Sequence, residues 1–261
     1  MSIELYENLG KVNGLLGANV VGTKSGFSKA RHKLKSDIFA DINQHFLTIY
    51  YGDGGSMTDG SYPYKSQASS LIRWKVFLVR GIDGSTVDII DTASNRIHFG
   101  LQKNQHLGKV KGRMMIGYDV LNKIVTHSYL GHMSESENSI ARQWIKGMGS
   151  DELNIYDRLY AGFVFQYLHD FYQKAYVIRC KLGHNQAVKD FIASGKKEKT
   201  VNWSTSKNAR ADLRAMDFEV NNQTQLKVRM LRIELNNGET EVLVTNLLDN
   251  KKYPHNVFKN L

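Results

Sequence analysis

Two aspartates are the residues best placed to do chemistry in this chain. Asp83 follows the apolar run "WKVFLVRGI", and Asp157 follows "LNIY". Aspartate is a poor strand residue, and a carboxylate at the end of a buried strand is costly unless something pairs with it. Either it caps a turn, or it holds a cation. The stretch "RGIDGSTVDII" (residues 80–90) reads as a strand ending on Asp83, a turn at Gly84-Ser85, and further acids at Asp88 and Asp91. Those two read as solvent-facing or turn residues, and Asp119 as part of a hairpin. If the strands that end at Asp83 and Asp157 are neighbours, their carboxylates converge. Two such charges about 4 Å apart repel by roughly 4 kcal/mol at an effective dielectric near 20. A divalent ion reverses that sign. Magnesium suits such a pair, since it takes carboxylate oxygens and keeps waters for a substrate phosphate. Two ions on shared carboxylates can activate an attacking oxygen and stabilise a leaving one.

Other chemistries find less support. The nine histidines show no HExxH or other close ligand spacing, which disfavours a zinc hydrolase. There is no GxxxxGK[ST] and no nucleophile elbow, so P-loop and α/β-hydrolase readings fall away. The single cysteine, Cys180 in "AYVIRCK", excludes an internal disulfide or a cysteine-cluster metal site and reads as a small buried residue.

The elements that must position these acids follow from composition and periodicity. The 261 residues, 41% hydrophobic and 23% charged, describe an ordinary globular protein with enough chain for a sizeable core. A formal charge of +10 favours a polyanionic partner, nucleic acid first and an anionic membrane surface second. The N-terminus lacks a basic region and is interrupted by Lys11 and glycines, so it predicts neither a signal peptide nor a membrane span, and a cytoplasmic location is the expectation. Residues 27–46 place Phe27, Ala30, Leu34, Ile38, Ile42 and Phe46 at helical spacing, with a break near Ser36; Lys29, Arg31, His32, Lys33 and Lys35 lie opposite, as a solvated face or a DNA contact. Residues 50–70 are rich in Gly, Ser and Tyr and read as a loop.

A strand over 74–83 is followed by a hairpin over 112–131 that turns at Asn122-Lys123, where Asn tolerates positive φ. A helix then carries Ile140, Trp144, Ile145 and Met148 on one face. After the short strand ending at Asp157 come a helix with Phe163, Tyr167, Leu168 and Phe171, and a strand "AYVIRC". That order suits a mixed sheet covered by helices. Beyond Arg179 the composition shifts: residues 179–232 hold twelve basic against five acidic residues, most of the chain's excess charge, with strand-like alternation.

Five blocks, in order, resemble a bacterial DDE transposase of the insertion-sequence-four type: "FSKARHKLKSDIFADI", "VFLVRGIDGSTVDI", "GRMMIGYDVLNKIV", "IYDRLYAGF" with "YVIRCK" after it, and "LRIELNNGETEVLVTNLLDNKKYPHNVFKNL". The resemblance spans nearly the whole chain. It implies a ribonuclease-H-like mixed sheet with flanking helices, interrupted by a β-rich insertion and preceded by a helical N-terminal segment. The implied parts are a DNA-end-binding segment over 1–70, a catalytic core over 71–182, a basic β-rich insertion over 183–250, and over 251–261 the entry to a further catalytic helix. Asp83 and Asp157 correspond to the family's first two metal-binding carboxylates, and Arg158 to the arginine that follows the second, for phosphate contact or carboxylate pairing.

The family's third carboxylate is a Glu in a Tyr-Arg-Glu-Lys helix. Here "KYPHNVFKNL" supplies the entry to that helix, and Glu234, Glu239 and Glu241 lie upstream in the insertion. The expectation is therefore an inactive, C-terminally truncated copy. The implied activity of the family is Mg²⁺- (or Mn²⁺-) dependent hydrolysis at transposon ends, followed by attack of the freed 3′-hydroxyl on target DNA. The implied partner is double-stranded DNA, at transposon ends and target, with no membrane, and a homodimer on DNA is left open. Lys29, Arg31, Lys33 and Lys35 would face the element's terminal repeats, and Lys207, Arg210 and Arg214 would track phosphates. Trp203 would either stack on a displaced base or sit in the core. The alternatives are a non-catalytic DNA-binding protein that inhibits transposition, and a different ribonuclease-H-like nuclease.

Overall fold

The computed structural model describes residues 23–35, 37–51, 71–103 and 108–261. The chain divides into two units, Met1–Phe46 and Leu47–Leu261.

The first unit contains α1 (Lys24–Arg31) and most of α2 (Ile38–Tyr51). Thr23 caps α1, its hydroxyl accepting the Gly26 N–H at 3.0 Å. The stretch 27–46 therefore forms two helices, separated around the expected break. Its expected apolar face is not a buried one: Leu34, Ile42 and Phe46 are each about half exposed. Burial begins at the next residue, Leu47, which with Tyr51 already belongs to the second unit and packs there with Leu71, Leu78 and Ile124. Of the expected loop over 50–70, Tyr50 and Tyr51 are helical, and the remainder lies outside the described residues.

The second unit is a mixed α/β fold built on one nine-stranded sheet. Its strands are β1 (Leu78–Asp88), β2 (Leu101–Lys103), β3 (Gly108–Asp119), β4 (Ile124–His132), β5 (Glu152–Tyr156), β6 (Ala175–Cys180), β7 (Glu198–Ser204), β8 (Gln225–Glu234) and β9 (Thr240–Thr245). The order is β2-β3-β1-β5-β6-β9-β8-β7, with β4 also on β3. β1, β5 and β6 run parallel, and every other pairing is antiparallel. The central parallel strands are the apolar runs of the sequence, as expected where both faces are covered.

The strand with Asp83 differs from expectation. β1 does not turn at Gly84-Ser85; these residues pair with Met115 and Met114, and the strand continues to Asp88. The long partner β3 overrides the local turn preference of a Gly-Ser pair. In the β3–β4 turn, Lys123 rather than Asn122 takes the left-handed conformation (φ 60°). Asn122 is used differently: its amide and backbone N–H donate to buried Asp119, which also accepts the Tyr51 hydroxyl at 2.8 Å. Asp119 is thereby a structural residue.

Four helices cover one face: α4 (Glu137–Ile145), α5 (Phe163–Phe171), α6 (Gln186–Ala193) and α7 (Lys207–Arg214), with α3 (Ala93–Phe99) lying beyond the end of β1. Helix α4 buries Ile140, Ala141 and Ile145 close to the expected pattern. Helix α5 turns Val164, Phe165 and Leu168 inward, leaving Phe171 more than half exposed. The segment 183–250 holds α6 and α7 as well as β7, β8 and β9, and those strands extend the same sheet through the β6–β9 pairing. The opposite face is closed by the chain after β9, where Leu247, Tyr253 and Phe258 pack on Leu153, Val177, Leu231 and Leu243. Buried Arg229 secures that strap by donating to the carbonyls of Leu247 (3.2 Å) and Tyr253 (2.7 Å) while pairing with Glu198.

Candidate functional site

The last β1–β5 pair is Ile82 with Tyr156, and Asp83 and Asp157 are the next residue on each strand. Asp157 keeps an extended backbone (φ −76°, ψ 179°) before the short 3₁₀ turn Arg158–Tyr160. The two aspartates thus each lie one residue past the last paired position of neighbouring parallel strands, whose backbones run about 4.8 Å apart. Asp83 is exposed and Asp157 half-exposed. One oxygen of each is engaged locally: Asp83 Oδ1 accepts the Gly84 N–H at 2.9 Å, and Asp157 Oδ1 accepts the Leu159 N–H at 2.7 Å. These local bonds, a turn cap only at Asp157, are compatible with holding a cation, since each carboxylate has a second oxygen.

The donor set fits a magnesium-type ion, which is held by one or two carboxylates and completes its shell with water and phosphate oxygens. It does not resemble a closed cage. Among the described residues no group of three or more His, Cys, Asp or Glu is arranged to hold a metal.

A third acid, Glu137, also reaches this corner, although its sequence position announces only the first turn of a helix. A Cβ built on Gly84 would lie 2.5 Å from Glu137 Cγ and 2.7 Å from Oε2, so the Glu137 side chain rests directly on Gly84. Arg113, on β3, pairs with the Glu137 carboxylate through Nη1, and its Nε donates to the Glu135 carbonyl at 3.2 Å. Glu135 in turn accepts the Tyr129 hydroxyl at 2.7 Å. Tyr160 is buried beneath the corner. Burial raises its phenol above the ordinary range, and Glu137, Asp83 and Asp157 add to the effect in that order, while Arg113 opposes it. One hydroxyl therefore senses all three carboxylates.

The cations predicted for phosphate contact fall in separate places. Arg158 is exposed beside Asp157 and lines a cleft of about 440 Å³ with Arg179, Lys181, Leu182 and Glu241. Arg179 is paired with Glu241 there. Lys29, Arg31, Lys33 and Lys35 belong to the first unit and are exposed. Lys207 opens α7 and is exposed; Arg210 donates to the Thr205 carbonyl at 3.3 Å, and Arg214 to the Val220 carbonyl at 2.8 Å. These two arginines fasten α7 to its neighbouring loops. Trp203 is 9% exposed and belongs to the helix-covered core, with His184 edge-on at 5.6 Å, and its remaining edge lines a cleft of about 560 Å³.

Toward the start of β1 and β5 lies a buried ionic group. Arg80 Nη2 and Glu152 Oε1 are 2.6 Å apart. Arg80 Nη1 stands 3.2 Å from His127 Nδ1, which must accept because guanidinium only donates. Burial pushes Glu152 up to about 7 against the pull of Arg80, and burial with Arg80 pushes His127 down to about 3. A further buried histidine, His169, meets the Tyr156 hydroxyl at 3.0 Å and is pushed down to about 4 by burial.

No protein-family model matches the chain, and a search of curated proteins finds no match. Among the described residues, no helix is long and apolar enough to cross a membrane.

Proposed function

We propose that the second unit is a ribonuclease-H-like DDE transposase core of the insertion-sequence-four type, carrying two of its carboxylates, Asp83 and Asp157, for Mg²⁺-dependent cleavage and strand transfer of DNA. The observation that carries this reading is their juxtaposition one residue beyond the Ile82–Tyr156 pair. Functional groups collect beyond the carboxyl ends of parallel strands. Bound magnesium would supply an activated oxygen nucleophile and charge stabilisation at phosphorus. The chain's own part is to hold the ion on the free oxygens of Asp83 and Asp157 and to meet a phosphate with Arg158. The net charge of +10 supports a phosphate-rich partner and a steep salt dependence.

The test is duplex DNA binding with and without Mg²⁺. The proposal expects tighter binding with Mg²⁺ and loss of that increment, but not of basal binding, in Asp83→Asn and Asp157→Asn.

A second reading, a non-catalytic DNA-binding protein that inhibits transposition, draws on two observations. Each aspartate already accepts a backbone N–H from its own strand or turn, and no group of three acids or other ligands is arranged for a metal among the described residues. It expects DNA binding indifferent to Mg²⁺ and to both substitutions.

A further inference from the structure

Glu137 approaches β1 at Gly84, just past the point where the β1–β5 pairing ends, from a helix that shares no hydrogen-bond ladder with it. Its side chain occupies the space that any Cβ at position 84 would need, which makes Gly84 the only residue type that admits it undisturbed. Helix α4 begins at this residue, held by Ser136, whose hydroxyl accepts the Ser139 N–H at 3.4 Å. Arg113 reaches the carboxylate from β3, two residues from Met115, the partner of Gly84. Both members of the pair are more than four-fifths covered. A charge that acts together with Asp83 and Asp157 on the one Tyr160 hydroxyl would alter any ion the two aspartates hold, unless it is neutralised where it lies.

We infer that the Glu137–Arg113 pair positions and charge-balances the Asp83 segment of β1: Glu137 fixes the Asp83–Gly84 backbone by lying on Gly84, and Arg113 cancels its charge. The cation affinity is then set by Asp83 and Asp157. Glu137 is a positioning residue and no ligand. The inference rests on the reading of Asp83 and Asp157 as a cation site. It has a consequence that a merely structural pair would not share, because removing one partner leaves the charge of the other, of opposite sign in the two cases, beside the Asp83 segment. Glu137→Gln strands a positive charge and weakens divalent-ion binding. Arg113→Gln strands a negative charge and tightens it.

The experiment is Mn²⁺ binding to the 261-residue chain, read from the free-ion electron paramagnetic resonance signal, with Mg²⁺ as competitor. One uncompensated charge in partly hydrated surroundings should change the affinity by roughly threefold to tenfold. The expected results are that loss for Glu137→Gln, a gain of similar size for Arg113→Gln, and near wild-type binding for the double variant. Glu137→Asp, which keeps the charge, should stay within about twofold of wild type. Circular dichroism of each variant verifies the fold. Equal weakening by Glu137→Gln and Arg113→Gln, or no change in either, overturns the inference. Failure of the underlying reading looks different: wild type would bind no Mn²⁺, or Asp83→Asn would bind it unchanged.

Discussion

Gly84→Ala is a small change whose effect depends on a single neighbour. The new methyl group would lie 2.5 Å from Glu137 Cγ and 2.7 Å from Oε2. Ordinary contact begins about 1 Å farther out, near 3.5 Å. Either β1 and α4 move apart or Glu137 withdraws and leaves Arg113. Overpacking of this kind costs about 1–3 kcal/mol. Replacing a glycine in a strand returns about 0.4–1 kcal/mol through the unfolded chain. The expected net loss is about 1–2 kcal/mol, a fall in melting temperature of roughly 2–8 °C for a domain of this size. The assay is urea unfolding of wild type, Gly84→Ala, Glu137→Ala and the double variant. In the Glu137→Ala background the clash is gone, so Gly84→Ala should be neutral or stabilising by about 0.5–1 kcal/mol, a coupling well above the usual error of additivity. An identical cost in both backgrounds would refute the placement of Glu137 over the strand.

Three further outcomes follow from buried polar groups. Arg229→Met should cost about 3–5 kcal/mol and expose the amides of residues 247–258 to hydrogen exchange, because it leaves Glu198 and two strap carbonyls without their donor; lysine, without the planar fork, should not restore it. Tyr51→Phe should cost about 1–3 kcal/mol in urea unfolding by removing a donor from fully buried Asp119. For pH, His127 and His169 are held neutral, with folded values of about 3 and about 4 below the ordinary 6.5. Their contribution is complete above pH 6.5 and is lost as pH falls toward those values, each by up to about 1.4 kcal/mol per pH unit, so His169→Gln should flatten the acid limb of the stability curve. Glu152 acts in the opposite sense, its contribution being full below about 4.5 and lost as pH rises through about 7.

Much of the frame is legible in the sequence, for physical reasons. Short apolar runs such as "LNIY" and "AYVIRC" are too brief for buried helices and bounded by turn residues, and they form β5 and β6. Periodicity places α4, because its apolar stripe meets the sheet on one side only. It fails for α2, whose repeated Ile42 and Phe46 look like a core face and yet stay half exposed, since pattern records a face and not what covers it. Gly84-Ser85 misleads because turn preference is local while pairing with β3 is not. Trp203 could be assigned to the core or to a ligand surface, and only the packing of His184 and α6 places nine-tenths of it inside. Glu137 is the instructive omission. Its helix is readable, but the strand it crosses is not, and the one local sign is the glycine after Asp83.

The most direct measurement is iron-mediated backbone cleavage: Fe²⁺ in the divalent-ion site, with peroxide and ascorbate, cuts the chain beside its ligands. Cuts beside both residue 83 and residue 157, both suppressed by Mg²⁺ and both lost in Asp83→Asn, are the expected result. Cutting at one tip alone, at neither, or at both but unchanged in Asp83→Asn, would contradict a shared ion.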